Sequence, residues 1–108
     1  MTKLTREEVI KSITDGNKDF KGWDLSGLDL SSLDLKFFNF ENANLSGANL
    51  YCANLLRAKL SGANLSGASL SGADLTGLNL AGANLSEANL SEANLSEANL
   101  SEAIHSPE

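Results

Sequence analysis

The stretch Ala83–Glu102 reads ANLSEANLSEANLSEANLSE, one five-residue word written four times without a change. A period of five fits neither regular element. At about 100° per residue, a helix would set successive leucines about 140° apart and scatter them around its axis. A straight strand places Ala and Leu, two residues apart, on one side. Because the repeat is odd, the next pair would then face the opposite side. The pattern resolves if the chain turns a corner once per word. Every Ala-x-Leu pair can then point at one axis, with Asn between them facing out. Ser-Glu or Ser-Gly makes the bend, as residues that favour turns can.

Working outward, the central position is Leu or Phe at every fifth residue from Phe20 to Leu100, seventeen times in succession. Two residues earlier stand Trp23, Leu28, Leu33 and Phe38, and then Ala from Ala43 onward except at Leu78. The position between is Asp in the early repeats and mostly Asn later, with Lys59, Ser69 and Asp74 as late exceptions. Successive corners of one sense build a coil, and each coil can bury its leucines only against its neighbours, which makes a solenoid. The outward Asn and Asp are expected to form solvated stacks along the faces.

This pattern resembles that of the pentapeptide-repeat family, over Phe20 to Ala103. The resemblance implies an all-β solenoid: a right-handed four-sided (quadrilateral) parallel β-helix with four repeats per coil and about four coils. At about 4.8 Å per coil it would be about 20 Å long. The four identical words would form one whole coil, and Phe20 and Phe40 would stack on one face. Leu78, two coils from Phe38, is expected to make a local bulge or to fill a gap. The chain divides into a cap and lead-in over 1–18, the β-helix over 19–103 and a tail over 104–108.

The ends of a stacked coil carry unpaired backbone. At the N-terminus Thr5 and Glu8 have the spacing of a capping box, Leu4 and Val9 that of a hydrophobic staple, and Gly16 is a good stop. This predicts a capping helix over 6–15, with Val9, Ile10 and Ile13 as its apolar face and Phe20 and Trp23 beneath it. At the C-terminus Ile104 is the candidate plug. Glu87, Glu92, Glu97 and Glu102 would form an acidic collar, one per side, which would repel a second collar brought head to head. Carboxylates spread around a perimeter do not converge as the ligands of a hard cation must.

The chain carries 8 basic and 14 acidic side chains, a net charge of −6. That balance argues against direct contact with nucleic acid or an anionic membrane. Five of the basic residues fall in residues 1–21. The single cysteine, Cys52, excludes an internal disulfide, and no apolar run has the length of a signal or membrane segment. A cytoplasmic protein is expected. His105 is the one histidine, the serines lie at repeat corners, and no nucleophile, phosphate-loop, metal or cofactor motif is present. A narrow interior filled with Leu leaves no room for a ligand cavity, so no enzyme and no cofactor are expected.

The departures from Ser-Gly carry the remaining signal. Lys36, Phe37, Tyr51, Cys52, Leu56, Arg57 and Lys59 would form one exposed patch, aromatic, aliphatic and basic, with the composition of an interface core. Arg57 packed on Phe37 is the plain structural alternative. Two functional classes follow. One is a non-enzymatic structural or protein-interaction module, a monomer or an end-to-end dimer, that meets a protein partner or itself through this patch. The other rests on the resemblance alone: an acidic DNA mimic that binds DNA gyrase or topoisomerase, as some members of the family do.

Overall fold

The computed structural model describes residues 3–104. His105 and the remainder of the tail lie outside the described residues. One helix, α1 (Arg6–Asp15), is followed by a solenoid held together by parallel bridges. Asp19 pairs with Asn39, Asn39 with Lys59, Lys59 with Asn79 and Asn79 with Asn99, and the other three walls repeat the twenty-residue step. Four five-residue words therefore make one coil. Each wall is a single bridged residue and not an extended strand. The reason is length: three residues separate consecutive corners, and only the middle one faces its neighbours above and below.

Backbone bonds join each coil to its neighbours. The Leu45 amide donates to the Asn64 carbonyl at 2.7 Å, the Gly47 amide to Ser66 at 2.9 Å, and the Asn64 amide to Ala43 at 3.0 Å. The corner closes when the Ala48 amide donates back to the Leu45 carbonyl at 3.0 Å. Its third residue has positive φ at all seventeen corners, as a type II turn requires. Eight corners use Gly from Gly22 to Gly82, and nine use Ser32, Phe37, Asn42, Cys52, Arg57 or the four glutamates.

The Asn and Asp side chains do not simply stack in solvent. Each turns its Oδ1 onto its own corner, where the amide two residues on donates to it: Ser46 to Asn44 at 3.0 Å, Ser96 to Asn94 at 3.0 Å. In many words the Ser hydroxyl donates to the same oxygen, at 2.8 Å in Ser46. This Asx geometry gives a partner to the one amide of the word that has no backbone acceptor, which outcompetes a ladder between walls. Lys59 and Ser69 interrupt the series, and Lys59 has no acceptor to offer.

The interior is a column of side chains from Phe20 to Leu85, all apolar among the described buried residues. Phe20 stacks on Phe40 at 6.0 Å between centroids, and Phe38 lies 5.7 Å from both. Trp23 meets Phe20 edge-on. Leu78 both fills and wedges. It is fully buried above Ala58, and the Asn79 amide beside it reaches the Ala58 carbonyl at 3.4 Å, against 3.0 Å and 2.9 Å for the matching bonds of Asp74 and Asn84.

At the N-terminal end α1 lies over the first coil. Its capping box is complete: the Glu8 amide donates to Thr5 Oγ1 at 3.2 Å and the Thr5 amide to Glu8 Oε1 at 2.9 Å. Gly16, at φ 82°, closes the other end. Val9 is fully buried, and Leu4, Ile13, Trp23, Leu28 and Leu33 are partly buried against the same core. Ile10 does not share that face and is exposed. It follows Val9 by about 100° of helix, whereas Ile13 lies one turn on. Cations finish the seal. Lys3 Nζ donates to the Ser26 carbonyl and Arg6 donates to those of Asp29 and Ser31, the free lower edge of the coil.

Among the described residues the C-terminal end is not sealed. Ile104 bridges Asn84 through its backbone, but its side chain is 56% exposed and plugs nothing. An open cavity of about 280 Å³ remains, lined by Leu85, Leu90, Leu95, Leu100 and Ala103. The interior is therefore full along its length and empty at this mouth. Alanines fill the same positions in the packed middle coils, so the opening comes from the lack of a covering layer among the described residues and not from the alanines. Among the described residues no helix is long and apolar enough to cross a membrane.

A Cβ on Gly47 would meet nothing within 4 Å, so Gly47→Ala isolates the backbone cost of its φ of 66°. It should lower stability by about 1–2 kcal/mol, and Ser32→Gly should raise it by about 0.5–1 kcal/mol, both read from urea midpoints. Leu75→Ala should cost about 2–5 kcal/mol, and Leu78→Ala clearly less, because it releases the stretched Ala58–Asn79 bond. Acid should loosen the cap. Asp24 and Asp29 lie below the ordinary carboxyl value of 3.8, first through the Ser26 and Ser31 hydroxyls, then through the amides of those serines, with Lys3 and Arg6 adding charge. Such depressed groups stabilise fully above their unfolded value, and the contribution disappears as pH falls through the folded one. Asp24→Asn with Asp29→Asn keeps the accepting oxygens. It should flatten the fall in stability below about pH 4 in a melting series; an unchanged slope would remove these carboxylates from the cap's energetics.

Candidate interaction surface

The residues that depart from the repeat occupy two neighbouring corners and an adjoining wall. Phe37, Leu56 and Arg57 share a corner: the Phe37 amide donates to the Leu56 carbonyl at 3.0 Å, and the Arg57 amide to that of Thr76 at 2.9 Å. Lys59 lies on the adjoining wall, bridged to Asn39 and Asn79. Lys36 turns back to Asp34 at 3.7 Å. Tyr51 and Cys52 form the next corner, across the wall that carries Asp34, Asn54 and Asp74.

Phe37 is 50% exposed on a backbone at φ 65°. Its cationic companion is Lys18, whose Nζ lies 5.7 Å from the ring centroid, and not Arg57. Arg57 instead leans up the stack over Gly77, where an added Cβ would meet its Cγ at 3.2 Å. Cys52 leans over Gly72 and Asn42 over Gly62 in the same way. A corner side chain thus points toward the next coil, and a glycine there gives it room. Lys18 escapes a reading that starts at Phe20, although the twenty-residue step places it directly under Phe38.

The corner is electrostatically open. Among the described residues the ion pairs are Arg6–Asp29, Lys11–Asp15 and Lys36–Asp34, so Lys18, Arg57 and Lys59 face no carboxylate within 4 Å. The Tyr51 corner differs. Its phenol is pushed above the ordinary value, first by hydrogen bonding and charge from Cys52, with Glu92 adding to it. One corner therefore offers cations around an aromatic ring, and the other an aromatic hydroxyl next to a thiol.

Glu87, Glu92, Glu97 and Glu102 take the left-handed place at the four corners of the last coil, with φ of 58–61°. The space over Gly67 is empty, and that over Gly72 and Gly82 holds no Glu atom. No atom of Glu87, Glu92 or Glu102 lies within 4 Å of where a Cβ on the glycine below would stand.

The pentapeptide repeats profile matches residues 29–67, 39–77 and 68–104, in eight copies. Among solved structures, the chain is similar to HetL from the cyanobacterium Nostoc sp. strain PCC 7120, a protein involved in heterocyst differentiation regulation. The two are 43% identical with a TM-score of 0.77, over 79% of this chain and 39% of HetL. It is also similar to Rfr23 from the cyanobacterium Cyanothece 51142, at 36% identity and a TM-score of 0.56, over 82% of this chain and 64% of Rfr23. The chain spans about two fifths of HetL and under two thirds of Rfr23. A comparison with curated proteins returns no match. The unbroken Leu or Phe at every fifth residue, the twenty-residue bridges and these likenesses agree: the chain belongs to the pentapeptide repeat family.

Proposed function

We propose that this chain is a non-enzymatic protein-binding module. In this reading it is a rigid solenoid, wound right-handed as its family is, whose Phe37 corner receives an acidic segment of a partner protein. The observation that carries the reading is the corner itself. Phe37 and Arg57 stand at left-handed positions where eight other corners use Gly, and a bulky side chain there carries a backbone cost. The return on that cost is an exposed ring among Lys18, Arg57 and Lys59 on a chain of net charge −6. Aromatic and Arg side chains of this kind anchor interfaces. A buried interior that is apolar throughout, among the described residues, offers no acid, base or nucleophile for catalysis.

The duplex-mimic reading has less support. The longest dimension of the described chain, cap included, is 35 Å, about ten base pairs at about 3.4 Å each.

The test is titration calorimetry with a synthetic peptide rich in Asp and Glu around one Trp, at low and high salt. Arg57→Glu with Lys59→Glu should weaken binding at least tenfold and abolish its salt dependence. Phe37→Gly should weaken binding too, while raising stability by about 0.5–1 kcal/mol. Equal affinity for the parent chain and all variants would sink the corner as a binding site.

A further inference from the structure

The two ends of the solenoid present the same problem and only one carries its solution. At the N-terminal mouth an amphipathic helix covers the coil, drives Val9 into the axis, and sends Lys3 and Arg6 onto the unpaired carbonyls of the edge. At the C-terminal mouth nothing among the described residues covers the corresponding groups. Leu100 is 45% exposed, and Leu90 and Leu95 are only partly buried. The stacking bonds that Leu80 and Leu85 donate to Asn99 and Ile104 have no counterpart at Leu90, Leu95 or Leu100 among the described residues. The cavity inside that rim, about 280 Å³, is nearly twice the ~150 Å³ that accepts a benzene ring in a protein core. It has room for one large apolar side chain or two medium ones.

Charge selects the occupant. Beyond Lys59 the chain has no Lys or Arg, and the rim carries Glu87, Glu92, Glu97 and Glu102, one at each corner. Side chains at the same corner position lower in the stack lean toward the next coil, as Asn42, Cys52 and Arg57 do. In the last coil that direction leads past the edge, around the mouth. A second acidic mouth would be repelled. An apolar stripe flanked by Lys or Arg would satisfy both the leucine cavity and the collar, as α1 with Lys3 and Arg6 satisfies the opposite end.

We infer that the C-terminal mouth is a docking site for a basic amphipathic helix of a partner protein, its apolar stripe seated on Leu85, Leu90, Leu95 and Leu100 and its cations on the four glutamates. The site is separate from the Phe37 corner and stands whether or not that corner binds.

The experiment uses the full chain and three synthetic fourteen-residue helices: one with a Leu stripe flanked by Lys, one with the same stripe flanked by Glu, and one of Lys and Ala with no large apolar residue. Fluorescence anisotropy should give saturable one-to-one binding of the Leu/Lys helix alone, with a rise in the melting temperature of the solenoid. Replacing all four rim glutamates by Gln should weaken that binding at least tenfold and remove its salt dependence. Leu100→Glu, at an exposed rim position, should abolish it, with the circular dichroism of the coil retained. Arg57→Glu with Lys59→Glu should leave it unchanged. Equal binding of the Leu/Lys and Lys/Ala helices would reduce the site to diffuse charge attraction and overturn the inference. So would binding of neither, or a concentration-dependent dimer, dissociated by Leu100→Glu, that already fills the mouth.

Discussion

A corner every five residues, with its third residue in the left-handed region, is the constraint on which the solenoid depends. It converts an odd repeat, which would send alternate side chains to opposite faces, into one that sends every Leu inward. The Asn or Asp before the central Leu fixes the corner by accepting from the amide two residues on. Of the other amides of the word, one closes the corner and three bond up and down the stack. One dihedral preference, repeated seventeen times, thus sets the wall length, the coil and the surface positions at which side chains lean toward the next coil.

The two ends of the stack differ in what covers them. Trp23, Leu28, Leu33 and Phe38 give the first coil large side chains beneath a helix, whereas the last coil, built with the same alanines as the packed middle, has no layer over it among the described residues. Charge divides along the same line. Five of the eight basic residues precede residue 22, where Lys3 and Arg6 hold the helix to the edge, and the last coil is purely acidic. The molecule is polar along its axis in packing as well as in charge.

Much of this was legible in the residues. The unbroken period specified corners and an inward Leu, and Phe20 and Phe40, twenty apart, are the pair that stacks. Three things were not legible. Polarity at the bend hides its handedness: Ser-Gly and Ser-Glu both read as turns, and nothing in Phe37 or Arg57 announces a backbone that disfavours them. Ile10 looks like part of an apolar face until the helix is seated, after which a single rotation separates it from Val9. The mouth escapes a residue-by-residue reading because an open end depends on what stacks above it, and no single residue encodes that. The same blindness affects the corner at Phe37, whose cation comes from Lys18, before the first regular word.

The uniform twenty-residue step also governs the order in which the chain is made. Every coil pairs only with the coil just before and just after it, so growth is a nearest-neighbour process that needs a starting template. The aromatic coil under α1 lies at the end that a ribosome releases first, and domains begin to fold in that order. Each further coil then needs only twenty more residues to emerge onto a finished edge. Synthesis would lay the solenoid down one coil at a time, and a stalled ribosome would hold a shorter rod with the same kind of open mouth.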